Sequence, residues 1–265
     1  MLRPRIIPTL LVHAGGLVKT VEFAQPTYVG DPINAVRIFN EKEVDELIVA
    51  DIDATVQGRA PDYSLIARLA AECRMPLCYS GGIRSSGEIE RIISLGVEKV
   101  AIGSAAVLSP DLIPEASRRL GNQSIVVVLD VRKVPRTGSY EVWTHNGTRA
   151  SGLDPVALAR RAEQMGAGEI LVNAIDRDGL MVGYDFDLLD QVRAAVSVPL
   201  TALGGVGTLD HIKDLIARYG VVGAAAGSLF VFKGRFRAVL INYPSRQQKD
   251  ELCAVPGVWP RPWTY

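Results

Sequence analysis

Two halves of this chain repeat each other. "ELIVADID" (46–53) returns as "EILVNAID" (169–176), and "PLCYSGGIRSSGEIERIISLGVEKVAIGSAAV" (76–107) returns as "PLTALGGVGTLDHIKDLIARYGVVGAAAGSLF" (199–230). Glu46/Glu169, Asp53/Asp176 and Gly81/Gly204 are each 123 apart. Strand, turn and helix signals repeated at a fixed offset build equivalent units that stack on one another. A site built in one half should therefore have a partner in the other.

The unit itself is legible. Short apolar runs at 5–12, 46–53, 77–81, 99–104, 125–131, 169–176, 199–204 and 223–228 read as strands. Amphipathic stretches lie between them. "PINAVRIFNEKEV" starts with Pro32 in the first turn, "SLIARLAAECR" puts Leu65, Ile66, Leu69 and Ala70 on one face, and "DPVALARRAEQMG" runs from an Asp154 cap to Gly166. Eight such units predict an α/β fold, a closed parallel (β/α)8 TIM barrel with a half-barrel repeat. Helices would cover its outside, so continuously apolar strands such as "IVVVL" are expected. "YEVWTHNGTRAS" (140–151) alternates around Asn146-Gly147 and predicts a hairpin after strand five. The barrel is expected over 1–244. Residues 245–265, broken by Pro256, Gly257, Pro260 and Pro262, are expected to form an irregular extension.

Charge and cysteines narrow the class. Lys plus Arg and Asp plus Glu both number 29, interspersed, so neither a nucleic-acid partner nor a membrane partner is expected. The start shows no signal-peptide pattern, and no apolar run reaches bilayer length, so a cytoplasmic protein is expected. Cys73, Cys78 and Cys253 are unpatterned and read as reduced thiols. No histidine pair has metal-ligand spacing, so neither metal nor cofactor is expected.

Three groups of residues could carry chemistry. Barrel sites collect at the C-terminal ends of the strands. Two glycine turns fall there, "SGGIRSSG" (80–87) and "LGGVGTLD" (203–210), followed one unit later by "IGSAAV" (102–107) and "AAGSLF" (225–230). Glycine admits close backbone approach and free helix-start amides bind phosphate, so a ligand phosphorylated at both ends would suit the mouth. Purely structural turns are the alternative. Asp51, Asp53, Asp130, Asp176 and Asp178 stand at strand ends. Asp130 ends an apolar strand and reads as an inward acid–base group. Asp53 and Asp178 read as loop anchors. Arg5, Glu46, Lys99 and Glu169 stand at strand starts and could ring the barrel floor, either as a salt-bridge plug or as a gate over a passage. His145 and His211 read as solvated, and His13 as a mouth-loop residue able to stand in for an acid.

"RIIP" (5–8), "LVK" (17–19), "GDP" (30–32), "GGI" (81–83), "GAGEILVNAIDRDG" (166–179) and "GYD" (183–185) together resemble the cyclase, or HisF-type, subunit of imidazole glycerol phosphate synthase, from residue 2 to about 232. The resemblance implies a glutaminase (HisH-like) partner at the N-terminal pole of the barrel. It implies ammonia crossing the interior to react at the mouth with a ribulosyl bisphosphorylated nucleotide. It places the family's gate on Arg5, Glu46, Lys99 and Glu169, its loop lysine on Lys19, and its phosphate contacts on Gly82, Gly103 and Ser104 and on Gly179, Gly205, Gly227 and Ser228. Of its two catalytic aspartates, one is Asp130; the other falls on Leu11, which cannot transfer a proton. The family's "TVGGG" reads "CYSGG" here, with Tyr79 expected to enter the mouth.

The pattern resembles a divergent branch of that family tied to bacterial surface polysaccharides. There the barrel and its glutaminase supply ammonia to a third protein that amidates an N-acetylated sugar. The leading expectation is thus an ammonia-conducting subunit with little cyclase activity. A true cyclase subunit and a non-catalytic phosphate-ligand scaffold are the alternatives.

Overall fold

A computed structural model describes residues 3–254. Its barrel strands are β1 (Arg5–His13), β2 (Leu47–Asp51), β3 (Leu77–Ser80), β4 (Lys99–Ile102), β5 (Ile125–Lys133), β6 (Glu169–Ala174), β7 (Leu200–Leu203) and β8 (Gly223–Ala226). Each pairs in parallel with the next; β8 pairs with β1, and β5 with β6, so the sheet closes. This is the expected (β/α)8 barrel.

Local chemistry sets the helices. Those of eight or more residues are α1 (Pro32–Glu41), α2 (Tyr63–Glu72), α3 (Ser86–Ser94), α4 (Leu112–Leu120), α5 (Pro155–Gln164), α6 (Phe186–Arg193), α7 (Leu209–Tyr219) and α8 (Arg246–Cys253). Asp31, Asp62, Asp154 and Asp185 each accept a backbone N–H three residues on, at 2.8–3.2 Å. Ser85 and Glu88 close a capping box at the start of α3. Such caps typically contribute about 1 kcal/mol each.

Strand alternation then separates two cores. Ile6, Leu10, Val49, Tyr79, Val127 and Ile170 face the helices in one cluster, while Ile7, Ile48, Cys78, Ala101, Val126 and Leu171 form a second inside the barrel. Tyr79 is therefore an outward residue, 1% exposed, and does not line the mouth. Its neighbours Cys78 and Ser80 take the inward positions. A strand buried on both faces carries no polar alternation to reveal this parity.

Two further differences from expectation matter. The glycine-containing stretch after β1 is a second hairpin, with antiparallel strands Gly16–Val21 and Ala24–Gly30. Its tight turns use positive φ at Ala14 (47°) and Gly15 (80°), then at Glu22 (51°) and Phe23 (66°). The tail, expected to be irregular from 245, is helical over α8, where Leu252 is buried and a Ser245–Gln248 capping box starts the helix. Residues 255–265 lie outside the described residues. The hairpin after β5 is present as Tyr140–Thr144 and Arg149–Ala150. No helix among the described residues is long and apolar enough to cross a membrane.

Candidate functional site

Alternation on β1 puts Arg5, Ile7, Thr9 and Leu11 inside the barrel, and the same rule on β6 puts Glu169, Leu171 and Asn173 there. The interior is thus layered. At the bottom, Arg5 donates to Glu46 and to Glu169 (2.8 Å), and the Lys99 ammonium lies 3.0 Å from Glu46 and 2.9 Å from Glu169. Thr201 adds a 2.5 Å hydrogen bond to Glu169. Two cations and two anions therefore balance. Burial pulls the Lys99 ammonium down, but the two carboxylates outweigh it and hold the group above its ordinary value. Burial likewise pushes Glu169 up, yet Arg5 and Lys99 hold it below the usual range. The four residues expected to form a ring do meet, and Thr201 joins them, a contact that strand-start position alone did not suggest.

Above this floor lies the apolar layer of Ile7, Ile48, Cys78, Ala101, Val126 and Leu171. Burial pushes the Cys78 thiol well up, leaving it a small apolar filler. Above that layer a cavity of about 140 Å³ opens toward the C-terminal ends of the strands. Leu11, Lys19, Asp130, Asn173 and Asp178 all line it. Leu11 is half-buried and faces the same cavity as Asp130.

Lys19 lies on the hairpin strand after β1, 5% exposed, and donates from Nζ to the Thr9 carbonyl. Burial lowers it to about 8, partly offset by Asp178. Asp130 is raised to about 6 by burial, against a 3.0 Å hydrogen bond from Asn173 Nδ2. Asp130 therefore sits near the range useful for general acid–base work.

The other strand-end carboxylates hold loops. Asp53 accepts from the Ala14 amide (2.8 Å) and lies 2.7 Å from His13 Nδ1. Asp178 accepts from Thr20 Oγ1 (2.6 Å) and from the Phe23 amide (3.4 Å), pinning the first hairpin across the mouth. Asp51 accepts from the amides of Asp53 and Ala54, and Asp176 from the amide of Lys133. His145 and His211 are half-buried rather than solvated: the His145 amide donates to Ser104 Oγ, and Gly207 donates to His211 Nδ1.

The glycine turns have packing duties of their own. A Cβ on Gly81 would meet the Asp51 carbonyl at 2.4 Å, and one on Gly204 would meet the Ala174 carbonyl at 2.6 Å. These are the same contact in the two halves, since Asp51 and Ala174 are themselves 123 apart. Gly82, Gly103, Ser104 and Gly227 line the cavity, whereas Gly179, Gly205 and Ser228 do not. The Gly82 amide is already committed to Thr55 Oγ1 at 3.2 Å. Thr9, Phe23, Asn146 and Asn173 also line the cavity; of these the sequence marks only Asn146, and that as a hairpin turn rather than a site residue. Phe23 and Gly147, at the two hairpin tips, pack together over the mouth. The Asn146-Gly147 hairpin signal was the clue available for Gly147; none pointed to Phe23.

A closed parallel barrel, a charge-balanced floor and a cavity at the strand ends lined by Asp130 and buried Lys19 define the class: a (β/α)8-barrel protein with its cavity at the C-terminal face. Residues 5–237 match the family described as histidine biosynthesis protein. A Leptospira interrogans protein provisionally named imidazole glycerol phosphate synthase subunit HisF is 56% identical over 252 residues, covering 95% of this chain and 99% of that protein. A Pseudomonas aeruginosa protein provisionally named subunit hisF2 of the same enzyme is 50% identical over 250 residues, covering 94% and 99%. Imidazole glycerol phosphate synthase subunit HisF of Limosilactobacillus fermentum is 41% identical over 233 residues, covering 88% and 89%. The chain belongs to the family of HisF-type imidazole glycerol phosphate synthase subunits.

Proposed function

We propose that this chain is the barrel subunit of a glutamine-dependent amidotransferase, conducting ammonia from a glutaminase docked at the floor to the mouth, with cyclase chemistry relaxed. The observation that carries this reading is a contrast between the two ends. The floor keeps all four charged residues in mutual contact, while the mouth presents Leu11 where the family resemblance expects an acid. A leucine accepts no hydrogen bond and stabilises no developing cation. Loss of general acid–base help typically costs ~10²–10⁴ in rate.

The delivered ammonia goes to a third protein, which converts the N-acetyl group of a sugar to an acetamidino group during lipopolysaccharide synthesis. Lys19 remains to pair with a phosphorylated ligand at the mouth or to stabilise the closed hairpin, and Asp130 remains as the surviving member of the family's aspartate pair. Gly103, Ser104 and Gly227 supply its phosphate contacts, joined by Gly82 if its amide leaves Thr55, with Gly179, Gly205 and Ser228 as a second group. The site lies in a cytoplasmic protein.

One observation favours a second reading, a true cyclase subunit: Asp130, raised to about 6, and Lys19, lowered to about 8, share one cavity. The test is turnover of the histidine-pathway substrate by the purified barrel with ammonium. Negligible turnover together with a stable glutaminase complex is expected. Turnover within about tenfold of a two-aspartate enzyme, less than acid–base help usually contributes, would establish the second reading instead. Failure to bind any glutaminase would favour the non-catalytic scaffold.

A further inference from the structure

Two buried oxygens in the mouth cavity have no hydrogen-bond partner among the described residues: Thr9 Oγ1 and Asn173 Oδ1. Their residues are 4% and 7% exposed, and both line the cavity. They stand four residues above Arg5 and Glu169 on β1 and β6, the strands whose lower side chains meet at 2.8 Å. They thus share one level, ~13 Å along the strands above the floor. Ile7 and Leu171 fill the step between, so this is the first polar level above the apolar layer.

The orientation of each oxygen is fixed by its neighbours. Asn173 Nδ2 donates to Asp130 Oδ1 at 3.0 Å; a flipped amide would set two acceptors against each other, so Oδ1 is the atom left without a partner. The Thr9 carbonyl is taken by Lys19 Nζ, which leaves the Thr9 hydroxyl free. The level therefore offers the Asn173 amide oxygen and the Asp130 carboxylate as acceptors, with one hydroxyl able to donate or accept. Ammonia has three N–H donors and one lone pair: two N–H groups suit the two acceptors and the lone pair suits the hydroxyl, with one N–H left for the rest of the cavity.

We propose that Thr9 Oγ1, Asn173 Oδ1 and the Asp130 carboxylate form an ammonia-binding station at the top of the apolar layer. Asn173 and Asp130 accept N–H bonds, and the Thr9 hydroxyl donates to the nitrogen lone pair. The proposal rests on the conduit reading for how ammonia arrives, but binding at the station is measurable without a glutaminase.

The test is NMR on the full chain labelled with ¹⁵N-asparagine, following the Asn173 side-chain amide, identified by its loss in Asn173→Leu. Titration with ammonium chloride should give a saturable shift whose apparent affinity rises with pH as the neutral form grows. Sodium and potassium chloride at equal ionic strength should give none. Thr9→Val, nearly isosteric, should weaken binding about tenfold, the usual scale for one lost buried hydrogen bond, and Thr9→Ser should restore it. No saturable shift, an equal response to potassium, or identical behaviour of the valine and serine variants would overturn the station. Delivery of glutamine-derived nitrogen by the glutaminase complex is scored separately. A titrating Asn173 with no delivery would sink the conduit alone, and delivery with a silent Asn173 would sink the station alone.

Discussion

Consider Lys99→Met, Glu169→Leu and the two combined. Glu169 is the more committed partner: it accepts from Arg5 at 2.8 Å, from Lys99 at 2.9 Å and from Thr201 at 2.5 Å. Its side chain is 7% exposed, against 18% for Lys99. Breaking a buried ion pair by removing one partner typically costs about 3–5 kcal/mol, because the survivor is left buried and uncompensated. Lys99→Met leaves two carboxylates that still share Arg5, so it belongs near the lower figure, about 3 kcal/mol. Glu169→Leu leaves two cations sharing Glu46 and also removes the acceptor of the Thr201 hydroxyl, so it belongs near the upper figure, about 5 kcal/mol. The double variant removes one charge of each sign and leaves the Arg5–Glu46 pair balanced. Its cost should fall about 3 kcal/mol or more short of the sum, at the top of the range for residues in one network. Urea unfolding at pH 7.5 measures all three. Single costs that add to within ~0.5 kcal/mol, as for distant independent sites, would refute the picture of one coupled floor. A pH series sharpens it. Glu169 titrates below its ordinary range in the parent, so its contribution is present at neutral pH and lost as pH falls through that depressed value. In Lys99→Met the loss should begin at higher pH.

Leu11→Asp should raise ammonium-dependent turnover of the histidine-pathway substrate by ~10²–10⁴ if a missing acid is the deficiency, and a rate within tenfold of the parent would argue that it is not. Asp130, raised to about 6, contributes stability at low pH that is lost as pH rises from its unfolded value through about 6. Asp130→Asn should therefore be more stable than the parent at pH 7.5, with the gap closing toward pH 4, read from urea midpoints. Lys19, lowered to about 8, has the opposite sign, so its contribution disappears as pH falls through about 8, and Lys19→Met should remove that limb of the stability profile. Gly204→Ala drives a Cβ to 2.6 Å from the Ala174 carbonyl at φ 98°, whereas Gly58→Ala, at φ 66°, meets nothing within 4 Å. Thermal unfolding should show a loss of about 1 kcal/mol at position 58 and clearly more at 204.

Much of the site was legible because strand position and repeat offset are local facts. Arg5, Glu46, Lys99 and Glu169 could be placed at strand starts, and one barrel pole then gathers them. The likeness of the β1 and β5 runs was enough to suspect that Leu11 and Asp130 face one space. Tyr79 was misjudged because "LCYS" is buried on both faces, so nothing in its polarity says which side is inward. The hairpin after β1 was hidden by apparently irregular glycine spacing, although Ala14-Gly15 and Glu22-Phe23 make compact turns. The helix α8 was masked by the proline-rich residues that follow it.

The sequence by itself determined the units: eight apolar strands, their capped helices, the doubled halves and the charges at one pole. Those are set by propensity, capping and periodicity, which act over a few residues. Only the tertiary structure decided which oxygens are left without partners. Thr9 and Asn173 lie 164 residues apart, and nothing in the stretches that hold them marks the two as partners. Barrel closure puts them on one level, buries both, and commits the Thr9 carbonyl to Lys19 and the Asn173 amide nitrogen to Asp130. Hydrogen-bond capacity left over after packing is a property of the closed barrel as a whole, so no local reading of the chain contains it.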